Sequence, residues 1–240
     1  MARISLGSVA AAAGAAAFIG GATWAVRGRS SQVFAPSVYR GAGDRQSLAL
    51  TFDDGPSPHT AAILDVLAEY QVPATVFQVG ANVRRNPDLA RAVREAGHEI
   101  GNHSDTHPNF ALRPADFIAG EFRRAQHTIA ALAGVRPALL RAPYGVRWFG
   151  FREMQEELGL VGVMWTSIGC DWKLAAPAIA ARILSQASNG GILCLHDGRG
   201  TQPDPDCSQT VEAVRRIVPE LLGRGYRFET VSSILCPKTS

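Results

Sequence analysis

Residues 47–57 read SLALTFDDGPS, and the fold turns on how this stretch divides. Ser47–Phe52 is short, mostly apolar and ends in Thr51 and Phe52, the composition of a buried strand. Two adjacent carboxylates, Asp53 and Asp54, follow, and then Gly55-Pro56. A Gly-Pro pair cannot continue a ladder of strand hydrogen bonds. The strand is therefore predicted to stop at Phe52, with the acids on the turn beyond it. Neighbours on an extended chain point to opposite faces. At a turn both can address one cleft, one acid binding a cation and the other handling a proton. Taken alone, these residues also make an ordinary polar turn, so the rest of the chain decides.

Downstream, helical and strand patterns alternate. His59–Tyr70 carries Ile63, Leu64, Leu67 and Tyr70 at helical spacing, with Ser57 as N-cap and Pro58 at the first helical position. Ala74–Val79 reads as a strand, Pro87–Glu95 as a helix closed by Gly97, and His98–Asn102 as a short segment before His103. Pro114–Leu132 is the longest helical pattern, and Leu139-Leu140 leads into RAPYG. Then come a helix at Phe151–Leu158, a strand at Val161–Ile168 and a helix at Ala175–Gln186. A strand at Ile192–Leu195, a helix at Gln209–Leu222 kinked by Pro219 and a strand at Arg227–Val231 complete the series. This alternation predicts an α/β fold with a mostly parallel sheet covered by helices. Asp53-Asp54, His103–His107, Arg141–Tyr144, Asp171-Trp172 and His196-Asp197 each follow a predicted strand. In a β/α barrel such positions converge on the C-terminal face, where active sites are built. A doubly wound sheet would gather them mainly at its switch point.

Upstream, Arg3 precedes an uncharged stretch from Ile4 to Val26, which Arg27 and Arg29 close. Residues 1–29 have the form of an export signal, cleaved after Ala22 or Ala25 or retained as a membrane anchor. Residues 30–45 read as a linker, and 46–236 as one catalytic domain. The export pattern places that domain outside the cytoplasm: secreted, periplasmic or membrane-anchored. With 46% hydrophobic and 19% charged residues, the 240-residue chain can fill a sizeable core, and a monomer is expected. A net charge of +3 without a basic run gives no basis for nucleic-acid binding. Four cysteines suit an exported chain. Cys207 and Cys236 could pair, while Cys170 and Cys194 fall near strand ends. No CxxC spacing suggests a thiolate metal site.

His103 and His107 lie four apart in HSDTHP, and Pro108 favours a turn over a continuing helix. The pair alone is a weak signal. With an acid from the first strand end, two imidazoles and one carboxylate suit Zn²⁺ with an open position. They equally suit Fe(II) in a two-histidine, one-carboxylate triad.

TFDDGPS, HSDTHP, RAPYG, DW and LHD, in that order, resemble the five motifs of the polysaccharide deacetylases, the NodB-homology or carbohydrate esterase 4 family. The resemblance runs from about Gln46 to Leu235, and the closing GYRFETVSSIL is similar to the family's last strand. It implies a distorted β/α barrel with Asp53 as catalytic base. Asp54, His103 and His107 would hold a divalent metal, Zn²⁺ by default, with Co²⁺ or Ni²⁺ able to substitute. His196 would protonate the departing amine, and Asp171 would orient it, with Asp197 a rival for that role. Arg141 would neighbour Asp53 and keep it ionised. The backbone N–H of Tyr144 would stabilise the oxyanion. Trp172 would offer a flat wall to a sugar, and Leu195 would line the acetyl pocket. Ala142 in RAPYG and Cys170 before the acid of DW depart from the usual pattern without removing a catalytic group. His59 and His98 are given structural roles, and His127, within the long helix, a peripheral one.

The expected activity is removal of N-acetyl groups from N-acetylglucosamine units of chitin-type oligomers, peptidoglycan or poly-N-acetylglucosamine. The rivals are an O-acetyl esterase on xylan-type polymers and an inactive carbohydrate-binding homologue. A non-haem Fe(II) oxygenase is a further rival, but it leaves Asp53 and His196 unexplained.

Overall fold

The computed structural model describes residues 19–236, so most of the expected export segment lies outside the described residues. Residues 19–27 form a helix, α1. No helix among the described residues is long and apolar enough to cross a membrane.

The centre of the sheet is β2, Ser47–Gly55, buried along its whole length. Its side chains alternate between two cores, as an extended chain requires. Leu48, Leu50 and Phe52 enter the large core shared with the helices. Ala49 enters a smaller core with Phe77, Val163, Ile192, Val231 and Ile234. Thr51 and Asp53 continue the Ala49 side, so the same alternation that buries the strand aims Asp53 inward at its C-terminal end. Around it lie β1 (Ser37–Val38), β3 (Thr75–Gln78), β4 (Glu99–Asn102), β5 (Leu139–Leu140), β6 (Val161–Val163), β7 (Ser167–Ile168), β8 (Gly191–His196) and β9 (Arg227–Phe228). All named pairings are parallel, in the order β1-β6-β5-β4-β3-β2-β8-β7, and β9 pairs with the start of β2. The two ends of the curled sheet are stitched by the chain itself. β6 runs into β7 through Met164–Thr166, and Arg40 bridges antiparallel to Gly191. The result is the expected distorted β/α barrel.

Outside it pack α2 (Thr60–Glu69), α3 (Gly80–Arg85), α4 (Pro87–Glu95), α5 (Ala115–Ala133), α6 (Phe151–Leu158), α7 (Ala176–Gln186) and α8 (Ser208–Gly223), and α9 (Val231–Leu235) follows β9. α4 and α6 match their predicted bounds, since each has a Pro or Gly at its start and a left-handed glycine beyond its end. α8 continues through Pro219.

Several expectations are corrected. β2 does not stop at Phe52: it runs through both acids, with a register shift between Asp53 and Gly55 against β3. α2 begins at Thr60, and Ser57 accepts from the His59 N–H instead of capping the helix. The run Val161–Ile168 breaks into β6 and β7, and the last strand gives way to α9. Residues 30–45 are not a free linker. Ser31 and Ala35 are buried, β1 joins the sheet, and the Arg147 guanidinium donates to the Ser31 carbonyl at 2.9 Å. All four cysteines are free, so Cys207 and Cys236 do not pair: Cys207 is buried and its thiol donates to the Gly198 carbonyl.

Candidate active site

The strand ends converge on a cleft of about 570 Å³ that holds Asp53, Asp54, His103, His107, Tyr144 and His196 in its lining. Trp172 also lines it, together with Trp165, which sequence reasoning missed. Five non-glycine residues of these loops have left-handed backbone: Asp54 (φ 74°), Ser104 (67°), His107 (55°), Tyr144 (57°) and Cys170 (54°). Each costs about 1–2 kcal/mol relative to ordinary backbone. Such strain concentrates where a side chain must be aimed against its preference.

Asp54 shows what that cost accomplishes. It breaks the alternation of β2 at the bulge, so that its carboxylate joins the Asp53 side of the cleft. Its Oδ1 lies 2.9 Å from His107 Nε2 and 3.3 Å from His103 Nε2. Oδ2 accepts from the Gly200 N–H at 2.9 Å, and the backbone carbonyl accepts from Asn82 at 2.7 Å. Burial raises the Asp54 pKa, but the two imidazoles outweigh it and hold the carboxyl well below its usual range.

His103 Nδ1 lies 2.8 Å from the Arg141 carbonyl. A carbonyl only accepts, so Nδ1 carries a proton and Nε2 is the ring nitrogen turned to Asp54. Asp54 Oδ1 is buried without a well-directed hydrogen bond. The three ligand atoms lie within 4.8 Å of one another. A buried carboxylate oxygen without a donor, beside two imidazole nitrogens, fits a divalent cation.

Asp53 is 3% exposed and faces its neighbours across the sheet. Oδ1 accepts from Arg141 Nη1 at 2.7 Å. Oδ2 lies 3.5 Å from the Cys194 thiol, whose pKa is raised well above its usual value by burial and then by Asp53. Arg141 is fully buried and also donates to Thr51 Oγ1 at 2.8 Å. His196 pairs with Asp53 in register across β2 and β8. Its Nδ1 lies 2.8 Å from Asp171 Oδ1, while Asp171 Oδ2 accepts from the His196 N–H and from Thr210, each at 2.8 Å. Burial pulls the imidazole down, yet the charge and hydrogen bond of Asp171, joined by Asp54 and Asp53, push it up to about 9. Asp197, the rival partner, instead accepts from Thr60 at 2.6 Å. Burial pushes that carboxyl up to about 7.

Trp172 is half exposed, with its ring edge-on to His196 at 5.3 Å between centroids. Tyr144 is likewise exposed and packs edge-on against His107 at 4.7 Å. Leu195 does not reach the cleft. It alternates with Cys194 and His196 on β8, so it points into the large core and is fully buried. Ile168 lines the cleft instead.

Comparisons with known proteins identify the family. The family model for polysaccharide deacetylase matches residues 40–163, just over half of the chain. The chitooligosaccharide deacetylase of Sinorhizobium fredii is 38% identical over 80% of this chain and 88% of its own length. A peptidoglycan-N-acetylglucosamine deacetylase of Bacillus cereus is 31% identical over 82% of this chain and 71% of its own. The crystal structure of the Bc1960 peptidoglycan N-acetylglucosamine deacetylase superposes with a TM-score of 0.77 at 31% identity, covering 82% of this chain and 91% of that one. The chain belongs to the polysaccharide deacetylase family.

Proposed function

We propose that the chain is a metal-dependent hydrolase that removes acetyl groups from N-acetylglucosamine units of a polysaccharide: chitin-type oligomers, peptidoglycan or poly-N-acetylglucosamine. One juxtaposition carries this reading. The Asp54–His103–His107 triad lies in the same cleft as Asp53 and His196, which are neighbours across β2 and β8. The triad would hold a divalent cation, Zn²⁺ by default, with Co²⁺ or Ni²⁺ able to replace it. When bound, the cation supplies Lewis-acid polarisation of a carbonyl and eases deprotonation of water.

The chain's own residues move the protons. Asp53 accepts the proton of the attacking water through Oδ2, its Oδ1 being held by Arg141. The Tyr144 backbone N–H stabilises the negative oxygen as the carbonyl carbon becomes tetrahedral. His196, with Nδ1 fixed on Asp171, donates from Nε2 to the departing nitrogen. The C–N bond then breaks, leaving acetate and a free amine. Trp172 offers its exposed face to the sugar ring. The export-like first 29 residues, and relatives named for peptidoglycan and chitooligosaccharides, support a domain working outside the cytoplasm.

Two variants of the full chain separate the roles. Asp54→Ala is expected to lose bound metal and acetate release together. Asp53→Asn is expected to keep the metal and lose turnover by at least about a hundredfold, the usual size of a positioned base. Metal analysis beside an acetate assay checks both, and an active Asp53→Asn protein would remove Asp53 as the base.

A further inference from the structure

The segment ahead of the sheet is tied to the walls of the cleft. The Val26 carbonyl accepts from the Arg147 N–H at 3.0 Å. The Arg147 guanidinium, buried and with its pKa lowered by that burial, donates to the carbonyls of Gly28 at 2.5 Å and Ser31 at 2.9 Å. Arg29 Nη1 donates to the Thr166 carbonyl at 2.5 Å, beside Trp165 in the cleft wall. Arg27, held between these anchors, donates through Nε to the Tyr144 carbonyl at 3.2 Å and lines the cleft itself. Cleavage after Ala22 or Ala25 would leave all of these residues on the chain.

The charges facing the cleft do not balance locally. Asp53 is engaged by Arg141, and Asp54 by two imidazoles. Arg199, also in the lining, spends Nη1 and Nη2 on the carbonyls of Gly198 and Asp171. Among the described residues Arg27 has no carboxylate partner, and both its Nη groups are without a hydrogen bond. A guanidinium fixed at Nε by a protein carbonyl presents a planar pair of Nη donors. That fork matches the two oxygens of a carboxylate.

We propose that Arg27 is a specificity-determining residue whose free edge pairs with a carboxylate on the sugar next to the N-acetylglucosamine being deacetylated. The cleft then favours an amino-sugar polymer bearing acidic substituents over a neutral one. This rests on the deacetylase reading above.

The test uses the full metal-loaded chain and two tetrasaccharides of N-acetylglucosamine, one neutral and one with carboxyalkyl ethers on alternate sugars. The wild type is expected to show a KM about tenfold lower for the acidic substrate, the size of one partly exposed charge-assisted pair. Arg27→Ala should erase that preference by raising KM for the acidic substrate alone, with Arg27→Lys intermediate. Half-molar salt should shrink the wild-type difference. Equal KM values for both substrates in the wild type, or an equal rise for both in Arg27→Ala, would overturn the proposal and leave Arg27 as a brace for Tyr144. Binding of the two fragments by calorimetry separates this from the reaction itself. A tenfold affinity ratio that Arg27→Ala abolishes supports the proposal even where neither fragment is hydrolysed, an outcome that would count against the deacetylase reading instead.

Discussion

Arg141→Met is expected to destabilise the protein by about 3–5 kcal/mol, the cost of stripping one partner from a buried ion pair. Both side chains are sealed from solvent, Arg141 at 0% and Asp53 at 3% exposure. Nη1 meets Asp53 Oδ1 at 2.7 Å, while Nε and Nη2 reach the carbonyls of Val163 and Met164 at 3.3 Å. The guanidinium also stacks over Phe77, 4.2 Å from its ring centroid. Methionine refills much of the space of the aliphatic stem but leaves the Asp53 carboxylate buried without its counter-charge. Its remaining oxygen then faces the weak Cys194 thiol donor at 3.5 Å. Asp53→Asn alone should cost less, about 1–3 kcal/mol, because Arg141 keeps its neutral acceptors. In the double variant the stranded charge is gone, so the two losses should fall short of additivity by about 2–3 kcal/mol. Urea unfolding of the four proteins in chelator, followed by circular dichroism, completes the cycle without a contribution from metal loss. A cost for Arg141→Met below about 1 kcal/mol, or a coupling below about 0.5 kcal/mol, would show that Arg141 and Asp53 are not a coupled buried pair.

His196→Ala should leave metal content intact and slow amide hydrolysis by about 10²–10⁴-fold, while an activated acetyl ester, whose leaving group needs no proton, loses far less. Equal losses on both substrates would remove His196 as the acid. In the metal-free protein the His196 ring should titrate near 9, above the ordinary 6.5. Because the folded value is the higher one, this group's contribution to stability is complete below about 6.5 and lost as pH rises through about 9. Asp171→Asn removes the charge that raises it, so the ring's titration in NMR spectra should fall towards or below 6.5. An unmoved titration would show that Asp171 is not its partner.

Much of the barrel was legible because its signals are local. α4 and α6 carry their own punctuation, and the polar clusters sit where strands end. The ordered motifs named residues that the fold does bring together: Asp53, Asp54, His103, His107, Arg141, Asp171 and His196 all meet at one end of the sheet. What escaped depends on contacts distant in sequence. Asp53 and Asp54 share a cleft through a bulge in a continuing strand, and nothing in DDGP separates that from a turn. The family resemblance puts Leu195 in the acetyl pocket, whereas the two-residue period of β8 sends it to the face opposite His196. Trp165 lines the cleft because the run Val161–Ile168 breaks at Met164–Thr166, where no Gly or Pro marks the change. By composition residues 26–29 read as the end of the export segment and 30–31 as the start of a linker. They are ordered by guanidinium groups of Arg29 and Arg147 bonding to main-chain carbonyls, a contact that leaves no periodic trace.

The proposed activity is hydrolysis of an acetamide on a sugar polymer, served by a metal that Asp54, His103 and His107 would hold. Its most direct test is acetate release from N-acetylated chitooligosaccharides by the full chain, measured as prepared, after chelation, and after Zn²⁺ is restored. Release is expected that chelation abolishes and Zn²⁺ recovers, with one free amine formed per acetate. Release that persists after complete removal of metal, or no release from chitooligosaccharides, peptidoglycan or poly-N-acetylglucosamine by the metal-loaded protein, would contradict it.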